Sequence, residues 1–147
     1  SFASTRASGM PTLWIFLLGG PGEDRRTATE TLDFFQDQAG AGDVAYLTSG
    51  VRIYPNTALE GIALQEGFIR GREELIAPRF YFSRDLDPAW LKGTLARRAR
   101  ADPRLMTSER AQSRLGPVGL RLLSALGARK PFWRFAPAFN RALRLVG

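Results

Sequence analysis

The run Leu13-Trp14-Ile15-Phe16-Leu17-Leu18 is apolar at every position and stops at Gly19-Gly20-Pro21-Gly22. A short unbroken run of this kind predicts a strand over Thr12–Leu18 buried on both faces, as in a parallel sheet. Beyond the glycines the period changes. Thr27-Ala28-Thr29-Glu30 has capping-box spacing, and Glu23 and Asp24 sit where a helix N-terminus favours negative charge. Leu32, Phe35 and Ala39 then fall on one helical face, and Gly40-Ala41-Gly42 ends the element. Val44 to Tyr54, rich in β-branched and aromatic residues, predicts a second strand, with Gly50 marking a bend or bulge. Pro55-Asn56 reads as a turn, and Ala58 to Glu66 as a short helix closed by Gly67. Arg79 to Ser83 predicts a third strand, with Phe80 and Phe82 on one side and Tyr81 on the other. Asp87-Pro88 supplies an N-cap followed by proline at the first helical position, opening a helix through Ala101.

Strands alternating with helical connections predict an α/β fold with a parallel sheet. From Pro103 onward the pattern predicts only helices, over Thr107–Arg114, Pro117–Leu126 and Pro137–Val146. Charge changes along the chain as well. Residues 1–83 carry seven arginines against ten acids, whereas residues 84–147 carry fourteen Lys or Arg against four acids, within a net charge of +7. We therefore divide the chain into an α/β part, residues 1–83, and a basic helical extension, residues 84–147.

The chain of 147 residues can bury a core of its own. Its longest apolar run is far shorter than the roughly 20 residues a membrane helix needs. It contains no cysteine and no histidine, which excludes disulfides, thiolate metal sites and a Ser/His/Asp triad built from these residues. Chemistry within the chain would fall to carboxylates, Tyr, Lys or Arg.

The Gly19–Glu23 turn is the first candidate site. Glycines between a strand and a helix let a ligand approach the backbone and point free N–H groups at it. The turn is not a P-loop, since Lys-Ser/Thr is missing, and it lacks the G-x-G-x-x-G spacing of a dinucleotide site. Glu23 would repel a pyrophosphate and suits an uncharged or cationic ligand better. Read alone, the turn serves equally as an ordinary strand-to-helix connection with an acid in the first helical turn. The second candidate lies in Val51-Arg52-Ile53-Tyr54, where alternation puts Arg52 and Tyr54 on one face. Read alone, Arg52 serves as a strand arginine paired with an acid such as Glu23.

Taken together, the segments resemble a known family. Phe16-Leu17-Leu18-Gly19-Gly20-Pro21-Gly22-Glu23 is similar to the G-x-I-x-G-x-x-E motif on the fifth strand of radical S-adenosylmethionine (SAM) barrels. Gly20 and Glu23 match, Leu18 stands at the Ile position, and Phe16 replaces the first glycine. Gly50-Val51-Arg52-Ile53-Tyr54-Pro55-Asn56-Thr57-Ala58-Leu59 resembles the sixth-strand signature G-[IV]-R-I-Y-P-G-T-P-L of the subgroup with an upstream cobalamin-binding domain, departing at Asn56 and Ala58. Glu66-Gly67-Phe68-Ile69 and Pro78-Arg79-Phe80-Tyr81-Phe82-Ser83 follow in the family's order.

The resemblance implies the distal part of a radical SAM partial (β/α) barrel, followed by the helical extension. It implies an enzyme that reductively cleaves SAM at a 4Fe-4S cluster to drive radical chemistry such as methylation or ring rearrangement. Leu18, Gly19, Gly20, Glu23, Arg52, Ile53 and Tyr54 are the implied cofactor-binding residues: strand and turn backbone seats the adenine, and Glu23 organises the turn. The cluster ligands and any cobalamin-binding domain lie outside these residues. The partners implied are the missing amino-terminal part of the same enzyme, a reductant protein, and a small-molecule or lipid-like substrate in the cytoplasm. The Thr12–Leu18 strand is left with a raw edge where a preceding strand would pair, so the chain alone is expected to be inactive and aggregation-prone.

The extension invites a competing reading. Phe132, Trp133, Phe135, Phe139, Leu143 and Val146 are interleaved with Arg134, Arg141 and Arg144. Such a tail packs on its own domain, or forms a non-catalytic module that meets an anionic membrane surface or nucleic acid. Of these two partners we favour lipid, because aromatic content rises with the charge.

Overall fold

The computed structural model describes residues 7–108, 121, 124–125, 127 and 131–146. Its centre is a three-stranded parallel sheet in the order β1 (Leu13–Leu18), β2 (Val44–Ser49), β5 (Leu105–Thr107). β1 and β2 run in register from Leu13 opposite Val44 to Leu18 opposite Ser49, and Ala45 to Leu47 face Leu105 to Thr107. Helix α1 (Arg25–Gln38) joins β1 to β2, and α3 (Pro88–Ala101) leads into β5. Between β2 and α3 lie the short strand β3 (Val51–Arg52), α2 (Ala58–Gln65), a 3-10 turn (Arg72–Ile76) and β4 (Phe80–Tyr81). Helix α4 (Ala136–Val146) follows a second 3-10 turn, Phe132–Phe135. The chain is thus mixed α/β with a small parallel sheet and four helices among the described residues.

The main core forms where α1 and α3 cover one face of the sheet. Leu18, Ala45, Leu47 and Leu105 from the strands meet Ala28, Leu32 and Phe35 from α1 and Leu91, Leu95 and Ala99 from α3. Trp14 and Phe16 stack on each other, and both meet the Phe35 ring edge-on. Arg104 staples the end of α1 to the start of β5. Its guanidinium binds the Asp102 carboxylate at 2.8 Å, donates to the Ala39 carbonyl at 3.1 Å and lies 5.4 Å from the Phe35 ring centre. The core crosses the compositional boundary between residues 83 and 84.

Four expectations are corrected. β1 is covered on one face only, because both packed helices lie on the same side; Ile15 and Leu17 remain exposed. The predicted strand Val44–Tyr54 divides at Gly50, whose φ of +86° turns the chain out of the parallel sheet. The predicted third strand is the two-residue β4, which pairs antiparallel with β3 (Val51 opposite Tyr81, Arg52 opposite Phe80). The parallel sheet is completed instead by Leu105–Thr107, within the region read as wholly helical. A three-residue strand that alternates buried and half-buried positions is too short to leave a pattern. The predicted helix Thr107–Arg114 therefore does not start at Thr107; the rest of it, and most of Pro117–Leu126, lies outside the described residues.

The local punctuation holds better. Asp87 caps α3 by accepting from the Ala89 N–H at 2.9 Å, with Pro88 at the first helical position. Asn56 takes φ +62°, and Gly67 takes φ +74° just after α2. The capping box of α1, however, is Asp24 with Thr27, not Thr27 with Glu30. The Asp24 carboxylate accepts from the Thr27 N–H at 2.8 Å, and the Thr27 hydroxyl accepts from the Asp24 N–H at 3.0 Å. That bond to the Thr27 backbone holds the Asp24 carboxyl below its ordinary pKa. Glu30 pairs with Arg26 instead, at 2.7 Å.

Candidate functional site

Three segments that are remote in sequence meet where the parallel strands end. β1 gives way to Gly19, at φ +98°, a conformation that costs glycine little. The Glu23 carboxylate folds back onto this turn and accepts from the N–H groups of both Gly19 and Gly20, while the Glu23 N–H donates to the Gly20 carbonyl at 3.1 Å. The expectation of free N–H groups at Gly19 and Gly20 is corrected: the chain's own acid occupies them. β2 ends beside this turn, with the Gly50 N–H donating to the Leu18 carbonyl at 2.7 Å. The third segment arrives through Ser83, whose N–H donates to the Gly19 carbonyl at 2.9 Å. The Gly19 peptide is therefore tied on both sides.

Phe82 locks the junction. A Cβ at Gly50 would lie 2.8 Å from the Phe82 ring, and one at Gly19 would lie 3.1 Å from it. The two glycines make room for one aromatic ring that also packs on the main core. A Cβ at Gly20 would meet only the Val51 side chain, at 3.8 Å, so the turn sits against the start of β3 with open space above it. Phe82, Ser83 and Gly50 are structural members of the junction that the candidate residue set leaves out. Their signal in the sequence is a lone glycine between two strand-like runs and a Phe-x-Phe alternation downstream.

The candidate residues separate into three groups. Leu18 and Ile53 are buried in the main and the smaller core respectively, so they bring only backbone to the surface. Gly19, Gly20 and Glu23 form the tied turn. Arg52 and Tyr54 are exposed on β3 and beyond it, with the Arg52 guanidinium 4.8 Å from the centre of the Tyr54 ring. That is cation–π geometry, and Arg52 forms no ion pair with Glu23. Phe80 lies opposite Arg52 in the β3–β4 ladder and is 51% exposed, which adds a second open ring to the same face.

β3 and β4 are held from behind by a smaller core of Ile53, Ala63, Ile69 and Tyr81. The buried Glu60 carboxylate accepts from the Asn56 N–H at 2.8 Å and from the Arg72 guanidinium at 2.6 and 3.2 Å. The bonds from Arg72 and Asn56 lower the Glu60 pKa. The Tyr81 hydroxyl donates to Glu66 at 2.9 Å, and burial raises the phenol's pKa. Among the described residues no group of three or more His, Cys, Asp or Glu side chains could hold a metal ion, and no helix is long and apolar enough to cross a membrane.

Comparison of the chain with family models, with curated proteins and with solved structures returns no match.

Proposed function

We propose that this chain is the distal part of a radical SAM enzyme, and that its carboxyl-end junction forms the adenosine side of the SAM site. One observation carries the reading. The Gly19–Glu23 turn, the Gly50–Tyr54 segment and the Phe80–Ser83 segment come together at the carboxyl ends of parallel strands, where α/β proteins place their ligands. The residues fit a nucleoside in two respects. Gly20 leaves the turn open to close approach, and the half-exposed Tyr54 ring and the Arg52 guanidinium offer a stacking face. Glu23 serves as the organiser of the turn, which it ties through two backbone bonds. The chain's residues do not fit the 4Fe-4S cluster or cobalamin binding. With no cysteine, the cluster ligands belong to an amino-terminal part of the same enzyme, and any cobalamin to a further domain there. Bound SAM would supply radical chemistry on a small-molecule or lipid-like substrate, its sulfonium carbon–sulfur bond breaking on one-electron reduction with methionine as the leaving group. A reductant protein supplies the electron, in the cytoplasm.

The test extends the chain through its natural upstream coding sequence. A C-x-x-x-C-x-x-C motif there, and release of 5′-deoxyadenosine from SAM by the reduced, extended protein, are the expected results. An extended protein without three clustered cysteines, or one that leaves SAM intact, would overturn the reading. In the extended protein, Glu23→Ala and Tyr54→Ala should each weaken SAM binding.

A second reading has its own observation. In the 3-10 turn before α4 the exposed Arg134 guanidinium lies 5.8 Å from the centre of the Trp133 ring, and Arg141 is exposed seven residues further along, in α4. This basic aromatic surface suits anionic lipid. Flotation with phosphatidylserine vesicles across a salt series tests it, and no binding at low salt would remove it.

A further inference from the structure

The basic extension keeps its cations apart from its acids. Helices α3 and α4 contain no acidic residue. The described acids of residues 84–147, Asp85, Asp87 and Asp102, lie in the segments that flank α3. Arg84, Arg98 and Arg104 serve the fold, pairing with Glu66, Asp33 and Asp102. Lys92, Arg97, Arg100, Arg134 and Arg141 are exposed, and no acid among the described residues pairs with them.

At about 100° per residue, Lys92, Arg97 and Arg100 fall on the side of α3 opposite its buried Leu91, Thr94 and Leu95. Ala89, Gly93 and Ala96 lie among them, so no bulky side chain holds a partner away from the cations. The Arg97 guanidinium lies along the helix and donates to the Thr94 hydroxyl at 2.9 Å. The end of α3 adjoins α4, because the buried Asn140 side chain donates to the Pro103 carbonyl at 2.9 Å. Arg100 stands in the turn before Pro103, and Arg141 follows Asn140 directly. The tie therefore places cations of both helices at the end of the sheet where β5 begins.

The chemistry of this surface selects among polyanions. Among the described side chains of residues 84–147 no large apolar group is exposed, and Trp90, Phe132, Trp133, Phe135 and Phe139 are all half-buried. Single-stranded nucleic acid stacks its bases on open rings, and a helix that reads a duplex groove sets Asn or Gln beside its cations. The cationic side of α3 offers neither. An anionic bilayer needs only positive charge spread over a surface. We infer that α3 joins α4 in meeting an anionic lipid surface, resting on the headgroups through Lys92, Arg97 and Arg100 without entering the acyl layer. The inference rests on the lipid reading of α4, to which it adds a second helix and a mode of contact.

Flotation of the 147-residue chain with vesicles of phosphatidylserine and phosphatidylcholine in equal parts should show binding at low salt that is lost as salt rises. Vesicles of phosphatidylcholine alone should not bind. Lys92→Gln, Arg97→Gln and Arg100→Gln together should weaken binding about tenfold or more. The circular dichroism spectrum and thermal midpoint should stay unchanged, because the three side chains lie outside the core. Lys92→Arg, Arg97→Lys and Arg100→Lys together keep the charge and should bind as the wild type does. Tryptophan emission should not shift to the blue on binding, since no ring leaves water for the acyl layer. A wild-type chain that does not float would remove the α4 reading and this inference together. Undiminished flotation of the glutamine variant would overturn this inference alone and leave the α4 reading standing. A blue shift, equal binding to phosphatidylcholine, or tighter capture of a duplex oligonucleotide than of the vesicles would also overturn it.

Discussion

The two cores of this molecule are held by different forces. The main core, between the parallel sheet and helices α1 and α3, is a continuous body of Leu, Ala and Phe side chains. The smaller core behind β3 and β4 has only Ile53, Ala63, Ile69 and Tyr81 fully buried, and it is fastened by polar ties: Glu60 to Arg72 and Asn56, and Tyr81 to Glu66. Apolar burial scales with area and is insensitive to pH, so the main core sets the stability of the fold. The smaller core has too little area to stand alone, and the geometry of its charges sets the position of β3. Arg52, Tyr54 and Phe80 are thus carried on the more easily loosened half, while Gly19, Gly20 and Glu23 are anchored to the stiffer one.

The contrast can be broken most severely at its apolar end. Phe35→Ala empties the place where three aromatic rings and Arg104 meet, and should cost about 3–5 kcal/mol in urea unfolding. A loss below about 1 kcal/mol would show that this core does not dominate. The hinge between the two halves comes next. Gly50→Val forces a β-branched residue to φ +86° and drives its Cβ into Phe82, and should cost about 2–3 kcal/mol, read from the same unfolding curves. If the change were neutral, Phe82 would not be the lock between the halves.

Acid should separate the two halves without any mutation. The Glu60 carboxyl is held below its ordinary pKa in the folded chain, so the unfolded chain takes up protons first as pH falls. The contribution is complete above the unfolded value and is lost as pH drops through the lowered folded value. Protection factors of the Ile53 and Tyr81 amides, corrected for the intrinsic exchange rate, should fall further over that window than those of Leu47 and Leu105. Glu60→Gln should remove that local excess, leaving the dependence carried by Asp24. An equal fall in both halves would dissolve the distinction. The smallest expected effect lies at Asn56, where φ is +62°. Asn56→Ala should cost about 1 kcal/mol and Asn56→Gly close to nothing, because alanine keeps the Cβ strain of the left-handed backbone without the short polar side chain by which Asn offsets it, whereas glycine has no Cβ.

Much of this was legible in the sequence, for reasons that differ by element. Pro88–Ala101 could be bounded at both ends because an Asp-Pro start acts locally. Asn56 and Gly67 declared their backbone conformations through residue chemistry alone. In the Val44–Tyr54 run Gly50 marked the bend, but composition could not show that the chain leaves the parallel sheet there to pair antiparallel with Phe80–Tyr81. Leu105–Thr107 was illegible as a strand because three residues carry no period, and its identity comes from pairing with Ala45–Leu47. At the candidate site the sequence offered Leu18, Gly19, Gly20, Glu23, Arg52, Ile53 and Tyr54 as candidates. It could not reveal that Glu23 takes up the N–H groups of Gly19 and Gly20, nor that Phe82 sits between Gly19 and Gly50, since both are contacts across the fold.

The sequence by itself determined the Asp87-Pro88 helix start, the Asn56 and Gly67 turns, the α/β class and the absence of cysteine and histidine, all properties of residue type and near neighbours. Only the tertiary structure decided which strands pair, which face of β1 is covered, and that three separate motifs share one junction. Those outcomes depend on long-range packing, in which a side chain's neighbours are chosen by the fold and not by its position along the chain.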